Sequence, residues 1–366
     1  MLFLVSHSTF ASRARVLALG NSFHLLDPYT AYGNPLDIAN LGKFIVFDSG
    51  STDPIDAKTN AEAMVSWTVH PKIKMALSLG HQDDSIINSR MMINAQAGTN
   101  YALQQNPIDL FYTYSSENVI HALSVNYSSM SSKTTGDREH SSVISYGLQI
   151  GAGQIYGKYG IINTAELTAG KKFDGAGFVN LAGRYGISSF TLGFDYFKHF
   201  AKSMTGQITD ENHNYELIQA GFVDTRAKEG EEFFYGAQLK YLKANCRVLG
   251  TTKCDRTYTR TTLPIWIGFE VAGNQWLTFR GFLKQHVLVD QMKDEAGYAA
   301  DVFDQTTGVA TEYSAAPNST ELSTGLGINF GKASIDTLFK GIFSSDQDQS
   351  TTWKDFISTI SLTYNY

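Results

Sequence analysis

Residues 321–330 read ELSTGLGINF, a stretch in which apolar side chains recur at every second position. Leu326 and Ile328 lie on one face, whereas Ser, Gly and Asn fill the opposite face. A period of two is typical of a β-strand and not of a helix. The segments LPIWIGFEV (263–271) and FTLGFDY (190–196) alternate in the same way. The sequence therefore predicts an all-β protein.

The polar face of these segments distinguishes them from strands of a soluble sandwich. It consists mainly of small residues, and aromatic residues stand near the segment ends. This pattern is typical of a transmembrane antiparallel β-barrel, in which the apolar face contacts lipid. Strands are predicted at 43–50, 61–69, 72–81, 108–116, 118–128, 141–151, 175–187, 189–200, 213–225, 231–244, 258–271, 274–288, 320–330, 333–344 and 354–366.

Bacterial single-chain barrels have an even number of strands, so residues 153–171 are predicted to hold a sixteenth. Fourteen strands remain if neither 43–50 nor 153–171 crosses the membrane. Very short turns alternate along the chain with long polar loops, as they do at the two ends of an outer-membrane barrel. The long loops are predicted around 82–107, 129–140, 201–212, 290–319 and 345–353.

Composition excludes several other classes of protein. The 366 residues are 17% charged and include 19 Tyr and 23 Phe. They contain no apolar run of the length that a membrane-spanning helix needs, which excludes a helical membrane protein. The net charge is −6, and Lys and Arg are scattered singly, so nucleic acid is not an expected partner. No linker-like stretch divides the chain, which favours one continuous architecture.

The two cysteines, Cys246 and Cys254, lie close together between two predicted strands. This spacing suits a disulfide in an oxidising compartment, with two free thiols as the alternative, and no His stands at zinc-ligand spacing. Residues 1–14 include MLFLVSHSTFA, which is interpreted as a truncated export signal or as an ordinary mature N-terminus. Pro264 lies within a predicted strand and is expected to mark a β-bulge.

Extension of the alternation places a set of charged residues on the inward face, where they avoid the cost of contact with lipid. The predicted lumen-facing residues are Lys74, Arg184, Asp195, Glu216, Lys240, Arg260, Glu270, Arg280, Lys284, Asp336 and Lys340. Cations outnumber anions in this set, which favours passage of anions unless the charges simply neutralise one another in pairs. The long loops carry an excess of acidic over basic residues, which suits divalent ions at a lipopolysaccharide surface or plain solvation.

The two ends of the predicted barrel resemble known outer-membrane proteins. At the C-terminus, one face of the last strand resembles the signal that the barrel assembly machinery recognises; it consists of Ile360, Leu362, Tyr364 and Tyr366. At the N-terminus, RVLALGNS and then AYGNPLDIANL precede the first strand, and this region resembles the FadL-type family of outer-membrane channels for long-chain fatty acids and other hydrophobic compounds. Asn34 and Pro35 match the Asn-Pro element of that family, although a plain turn would also explain them.

The resemblance implies that residues 15–42 form a plug inside a barrel of residues 43–366, and that a hydrophobic solute leaves sideways through a gap at a kinked strand. The sequence departs from the family at Leu36 and Asp37, where Ala-Gly is expected, and in favouring sixteen strands over fourteen.

Motifs for nucleotide binding and for common hydrolases do not occur in the sequence, and no cofactor or metal is expected. His81, Asp83 and Asp84 form the one group that resembles an acidic cluster at a barrel rim, and a surface loop explains them as well. The sequence thus predicts a passive, non-enzymatic channel in the bacterial outer membrane for small hydrophobic or anionic solutes. A general diffusion porin, or a closed barrel whose loop 290–319 contacts a partner, are the alternatives.

Overall fold

The structure is a computed structural model. It describes residues 13–50, 60–87, 89–90, 101–133, 136–168, 170–175, 177–205, 208–228, 230–248, 256–288, 293–294, 320–339 and 357–366. The predicted export signal (1–14) lies almost wholly outside this part of the chain, as do the loop 290–319, apart from two residues, and Cys254.

One closed antiparallel sheet forms the protein. Apart from two short strands, each strand pairs with the next one along the chain, and β1 also pairs with β18, which closes the barrel. The strands are β1 Phe44–Gly50, β2 Asn60–His70, β3 Ile73–Leu79, β4 Ile108–Ser115, β5 Val119–Ser131, β6 Arg138–Ile150, β7 Gly153–Glu166, β8 Lys171–Asp174, β9 Val179–Ile187, β10 Phe190–Thr205, β11 Ile208–Lys228, β12 Glu231–Val248, β13 Arg256–Ala272, β14 Leu277–Leu288, β15 Lys293–Asp294, β16 Thr320–Phe330, β17 Ala333–Phe339 and β18 Ile357–Asn365.

Sixteen of these strands make the wall. The other two, β8 and β15, are short strands that pair only with the ends of wall strands, β8 beside β7 and β15 beside β13. The predicted all-β barrel is confirmed, and the strand number is sixteen. Both uncertain segments belong to the wall, since β1 lies within 43–50 and β7 lies within 153–171. The fourteen-strand alternative is therefore wrong.

The outer face of the wall is apolar. Leu192 and Phe194 on β10, like Ile265 and Ile267 on β13, are 45% to 58% exposed, whereas their neighbours in sequence point inward. Apolar side chains can cover the outside of a closed barrel at low cost only where that surface faces lipid, so this is the wall of a transmembrane barrel. The face of β18 that carries Ile360, Leu362, Tyr364 and Tyr366 belongs to this surface.

Pro264 does not produce the expected bulge. The register between β12 and β13 is the same on both sides of it, as Ala237 pairs with Ile265 and Lys240 with Thr262. The two intervening pairs are missing, because proline has no N–H to donate toward β12. On its other side, Pro264 keeps its register partner His286 on β14. The wall therefore has an interrupted ladder here instead of an extra residue.

The described part of the chain that precedes β1 lies inside the barrel. We call residues 13–42 the inner segment; it contains helix α1 Arg13–Ala18, a 3₁₀ turn Tyr29–Tyr32 and helix α2 Asp37–Asn40. Helix α1 contacts β14, β16, β17 and β18, whereas α2 contacts β3 and β4. None of the helices in the described ranges is long and apolar enough to span a bilayer.

Glycines on the inner wall allow this close approach. A Cβ atom on Gly147 would come within 2.7 Å of the side chain of Leu36, and one on Gly193 within 2.8 Å of the ring of Phe23. Any larger residue at either position would push the inner segment away from the wall. The small residues of the polar faces thus provide the room that the inner segment occupies.

Candidate functional site

Three ion pairs, each made by an arginine, connect the inner segment to different parts of the inner wall. Arg13 bonds to Glu62 on β2 at 3.3 Å, and Arg15 bonds to Glu270 on β13 at 2.8 Å. The third pair joins Asp37 of α2 to Arg184 on β9. Because β2, β9 and β13 are far apart around the barrel, the inner segment is held across the lumen and not along one side of it.

The pair between Arg15 and Glu270 is part of a larger buried network. Arg280 on β14 donates to Glu270 at 2.5 Å and also to Asp336 on β17. Arg15 donates to Asp27, within the inner segment, at 3.3 Å. Two guanidinium groups therefore face three carboxyl groups in a place from which water is largely excluded.

Burial of Asp27 resolves this imbalance. It raises the pKa of Asp27 to about 8 in spite of the opposing attraction of Arg15. Near neutral pH, Asp27 thus accepts its hydrogen bond from Arg15 mainly as the neutral acid, and two carboxylates remain to balance two cations. Protonation of Asp27 lets the network be buried without an unpaired charge.

We expect the inner segment to be held less tightly as pH rises. The folded-state pKa of Asp27 lies above its usual value of 3.8, so its stabilising contribution is complete below about pH 4 and is lost as pH rises to about 8. Hydrogen exchange of amides in the inner segment should accelerate by at most about tenfold per pH unit beyond intrinsic exchange. Asp27→Asn should abolish this dependence, and an unchanged dependence in that variant would contradict the assignment.

Asn34, Pro35 and Asp37 form the turn that leads into α2. The amide of Asn34 donates to Asp37 at 3.1 Å and to Gln154 on β7 at 2.9 Å, while its oxygen accepts from the backbone N–H of Leu36. Pro35 is buried beside it. The side chain of Asp37 also accepts from Thr30 at 2.6 Å. The Asn-Pro element thus organises the contact between the inner segment and the wall.

A cavity of about 420 Å³ remains between the inner segment and the wall. Phe23 and Leu25 of the inner segment line it together with Trp266 and Phe282 of the wall. Charged side chains of both signs also line it, among them Lys240 and Asp195. A space of this volume with apolar and charged walls can accommodate a small amphipathic molecule.

The predicted lumen residues are largely placed on the inner face. Eight of them lie there: Lys74, Arg184, Asp195, Lys240, Glu270, Arg280, Lys284 and Asp336. For Arg260 only the backbone position is described, opposite Leu242, and Lys340 lies outside the described residues. The side chain of Cys246 is also outside them, so the disulfide remains a prediction.

Glu216 was predicted to face the lumen, and this prediction is wrong. Its neighbours Tyr215 and Leu217 are buried on the inner side, so Glu216 points outward, where its carboxylate accepts a hydrogen bond from Tyr196. The β11 sequence has apolar residues on both faces, which makes the alternation ambiguous. Lys198 and Lys243 are its register partners on the two neighbouring strands.

Several inward cations bond to carboxylates, and the sequence analysis did not single out all of the residues involved. Lys284 donates to Glu321 at 2.9 Å, and Lys158 on β7 donates to Asp83 at 2.9 Å. Glu62 and the two arginines of α1 were also missed. The alternation of β2 could have identified Glu62, but only the three-dimensional path of the inner segment brings α1 to it.

His81 and Asp83 are buried within the barrel, and Asp84 lines the cavity, so the three residues do not form a surface rim. His81 bonds to Glu62 at 3.1 Å and stacks on the ring of Tyr32, 3.4 Å away. Burial lowers the pKa of His81, but the adjacent Glu62 more than offsets this, so the pKa rises. Among residues that the structure describes, no group of three or more His, Cys, Asp or Glu could hold a metal ion.

No protein-family model matches the chain, and neither does any curated protein. Among solved structures, the chain is similar to a FadL homologue from Pseudomonas aeruginosa at 10% identity and a TM-score of 0.44, over 97% of this chain and 98% of that one. It is also similar to OmpT, an outer membrane protein of Vibrio cholerae, at 10% identity and a TM-score of 0.37, over 88% and 96%. The ferric citrate transporter FecA matches at 10% identity and a TM-score of 0.44, over 88% of this chain and 55% of that one.

Proposed function

We propose that the protein is a bacterial outer-membrane channel through which small solutes diffuse, and that the inner segment is the plug that closes it. The observation that carries this proposal is the set of ion pairs that holds the inner segment across the lumen, with a cavity left beside it. The apolar outer face of the wall supports placement of the barrel in the lipid of that membrane. Lipopolysaccharide and the barrel assembly machinery are the partners that this location implies.

The cavity lining supports small amphipathic or anionic solutes as the cargo. Phe23, Leu25 and Phe282 offer an apolar surface. Four cationic side chains line the same cavity beside three acidic ones: Lys158, Arg184, Lys240 and Lys284 against Asp37, Asp84 and Asp195. Movement through it requires no cofactor, because lumen width, plug position and lumen charge set the rate of passage.

Single-channel conductance in a planar bilayer tests the plug. We expect the full chain to be silent and a variant without residues 15–42 to give steady steps, because deletion removes the part of the chain that crosses the lumen. Both proteins should show the heat-modifiable gel migration of a folded barrel, which serves as the control for folding.

The other functions give different results in the same experiment. Large steps from the full chain would contradict the plug and support a general diffusion porin. Silence of both proteins would contradict the channel and support a closed barrel that acts through its loops.

We further propose that solutes leave the cavity sideways at the interrupted ladder, the route implied by the FadL-type resemblance. Pro264 lines the cavity, and Leu239 and Ile265 face lipid on the outer side of the same place.

In Pro264→Val, a backbone N–H becomes available to β12, and the gap should narrow. We expect uptake of a pyrene-labelled fatty acid by intact cells to fall several-fold, while Thr262→Val leaves it unchanged. Equal uptake in both variants would contradict a sideways route.

A further inference from the structure

A second part of the chain also occupies the lumen. The loop predicted at 82–107 was expected to be an exposed polar connection, but its described ends fold inward. We call residues 81–87, 89–90 and 101–107 the loop stems. Ile86, Ser89, Arg90, Tyr101 and Gln104 are all buried within the barrel, at 1% exposure or less.

Arg90 joins the two loop stems to each other and to the wall. Its guanidinium group donates to Asn163 on β7 at 2.9 Å and to Glu139 on β6 at 3.3 Å. It also donates at 2.8 Å to the backbone oxygen of Ala102, in the other stem. A single buried cation thus holds both ends of the loop against two strands.

Further side chains hold the second stem. The amide of Gln104 donates at 2.8 Å to Asn126 on β5 and at 2.8 Å to Ser141 on β6. The hydroxyl groups of Tyr101 and Ser203, on β10, are 2.7 Å apart. The loop stems are therefore attached to β5, β6, β7 and β10.

The inner segment depends on a different set of wall residues. Its ion pairs involve Glu62, Arg184 and Glu270, none of which bonds to Arg90 or Gln104. The two lumen elements meet at His81, which stacks on Tyr32 and shares Glu62 with Arg13. Removal of the inner segment would take away that contact and leave the bonds of Arg90 and Gln104 intact.

We propose that the loop stems form a second constriction of the pathway, held by Arg90 as a positioning residue and independent of the inner segment. This inference rests on the proposed channel function. It implies that a solute meets two successive barriers, and that loss of the plug alone opens the lumen only in part.

The test compares conductance steps of three further proteins with those of the variant that lacks residues 15–42. Arg90→Ala combined with Gln104→Ala in the deletion background should enlarge the steps about threefold or more, because the lumen of a sixteen-strand barrel is wide once nothing fills it. Arg138→Ala in the same background is the matched control, since Arg138 is exposed beside Glu139, and it should leave the steps unchanged. In the full chain, the Arg90 and Gln104 substitutions should remain silent.

Steps of equal size with and without the Arg90 and Gln104 substitutions would overturn the second constriction while leaving the plug supported. Silence of every variant would contradict both proposals. Large steps from the full chain would contradict the plug alone. In that case, larger steps with the Arg90 and Gln104 substitutions would support the constriction, and steps of equal size would contradict it.

Hydrogen exchange gives a second readout that does not depend on the substituted proteins. In the variant without residues 15–42, amides of residues 101–107 should keep their protection to within about twofold of the full chain, because their opening is local. Loss of that protection on deletion would overturn the independence of the loop stems.

Discussion

Glu270→Ala is expected to lower the free energy of opening of the inner segment by about 3–5 kcal/mol, the cost of removing one member of a buried ion pair. The substitution leaves Arg15 and Arg280 next to each other without the carboxylate that bonds to both. Asp336 remains for Arg280, whereas Arg15 keeps only Asp27, whose burial opposes ionisation and makes it a weak counter-charge. Like charges in such a place repel, so the arginine of α1 should leave its position.

The measurement is native-state hydrogen exchange of the inner segment in the detergent-folded protein. A loss of about 3–5 kcal/mol corresponds to exchange that is faster by about two to four orders of magnitude. Conductance should show openings in the variant that the full chain lacks. Glu166→Ala is the control, because it removes the same charge from an exposed pair with Lys172. Unchanged protection of the inner segment in Glu270→Ala would show that Arg15 does not hold it.

The barrel itself could be predicted from sequence because its physics is local. Each strand presents one face to lipid, and the resulting alternation is visible in segments such as 321–330 and 263–271. The prediction failed for Glu216, where Tyr215 and Leu217 turn inward and Tyr215 packs against Phe197 and His199 of β10. An apolar side chain on a barrel strand shows which face contacts lipid only if no apolar residues pack inside the lumen. Local sequence does not reveal whether they do.

The site depends on contacts between residues far apart in the chain, and these left little trace in the sequence. Arg13 and Arg15 lie in a short helix that has no alternation, and their partners Glu62 and Glu270 follow them by 49 and 255 positions. The loop at 82–107 has a polar composition that suits solvent as well as it suits a polar lumen. The inward fold of its described ends follows from hydrogen bonds of Arg90 to Asn163 and of Gln104 to Asn126. Alternation places both asparagines on the inner face, but it does not identify their partners.

Asp37 shows how a departure from a family pattern can carry information. The residue replaces a small one expected from the FadL-type resemblance, and it is completely buried. Such a carboxylate needs a counter-charge and hydrogen bonds, which Arg184, Thr30 and Asn34 supply. Arg184 had been predicted to face the lumen as part of a solute pathway. Its ion pair with Asp37 also holds the inner segment against the wall.

A double-mutant cycle on this pair should give a coupling of about 2–4 kcal/mol between Asp37 and Arg184. Asp37→Leu alone leaves the guanidinium group of Arg184 without its carboxylate, and Arg184→Met alone leaves Asp37 buried without a cation. Each single variant should therefore accelerate hydrogen exchange of α2 strongly. The double variant should regain most of the protection, because apolar residues of similar volume can replace a buried ion pair at little cost.

The result of the cycle separates two roles for Arg184. If the ion pair fastens the inner segment, the double variant is silent in a bilayer, as the full chain is, while each single variant shows openings. If Arg184 instead acts on solutes, the double variant is at least as altered as Arg184→Met, because the effects of the two substitutions add without coupling. Lys240→Met is the matched control, because Lys240 lines the same cavity but is not part of the bond to Asp37, so it should leave the protection of α2 unchanged.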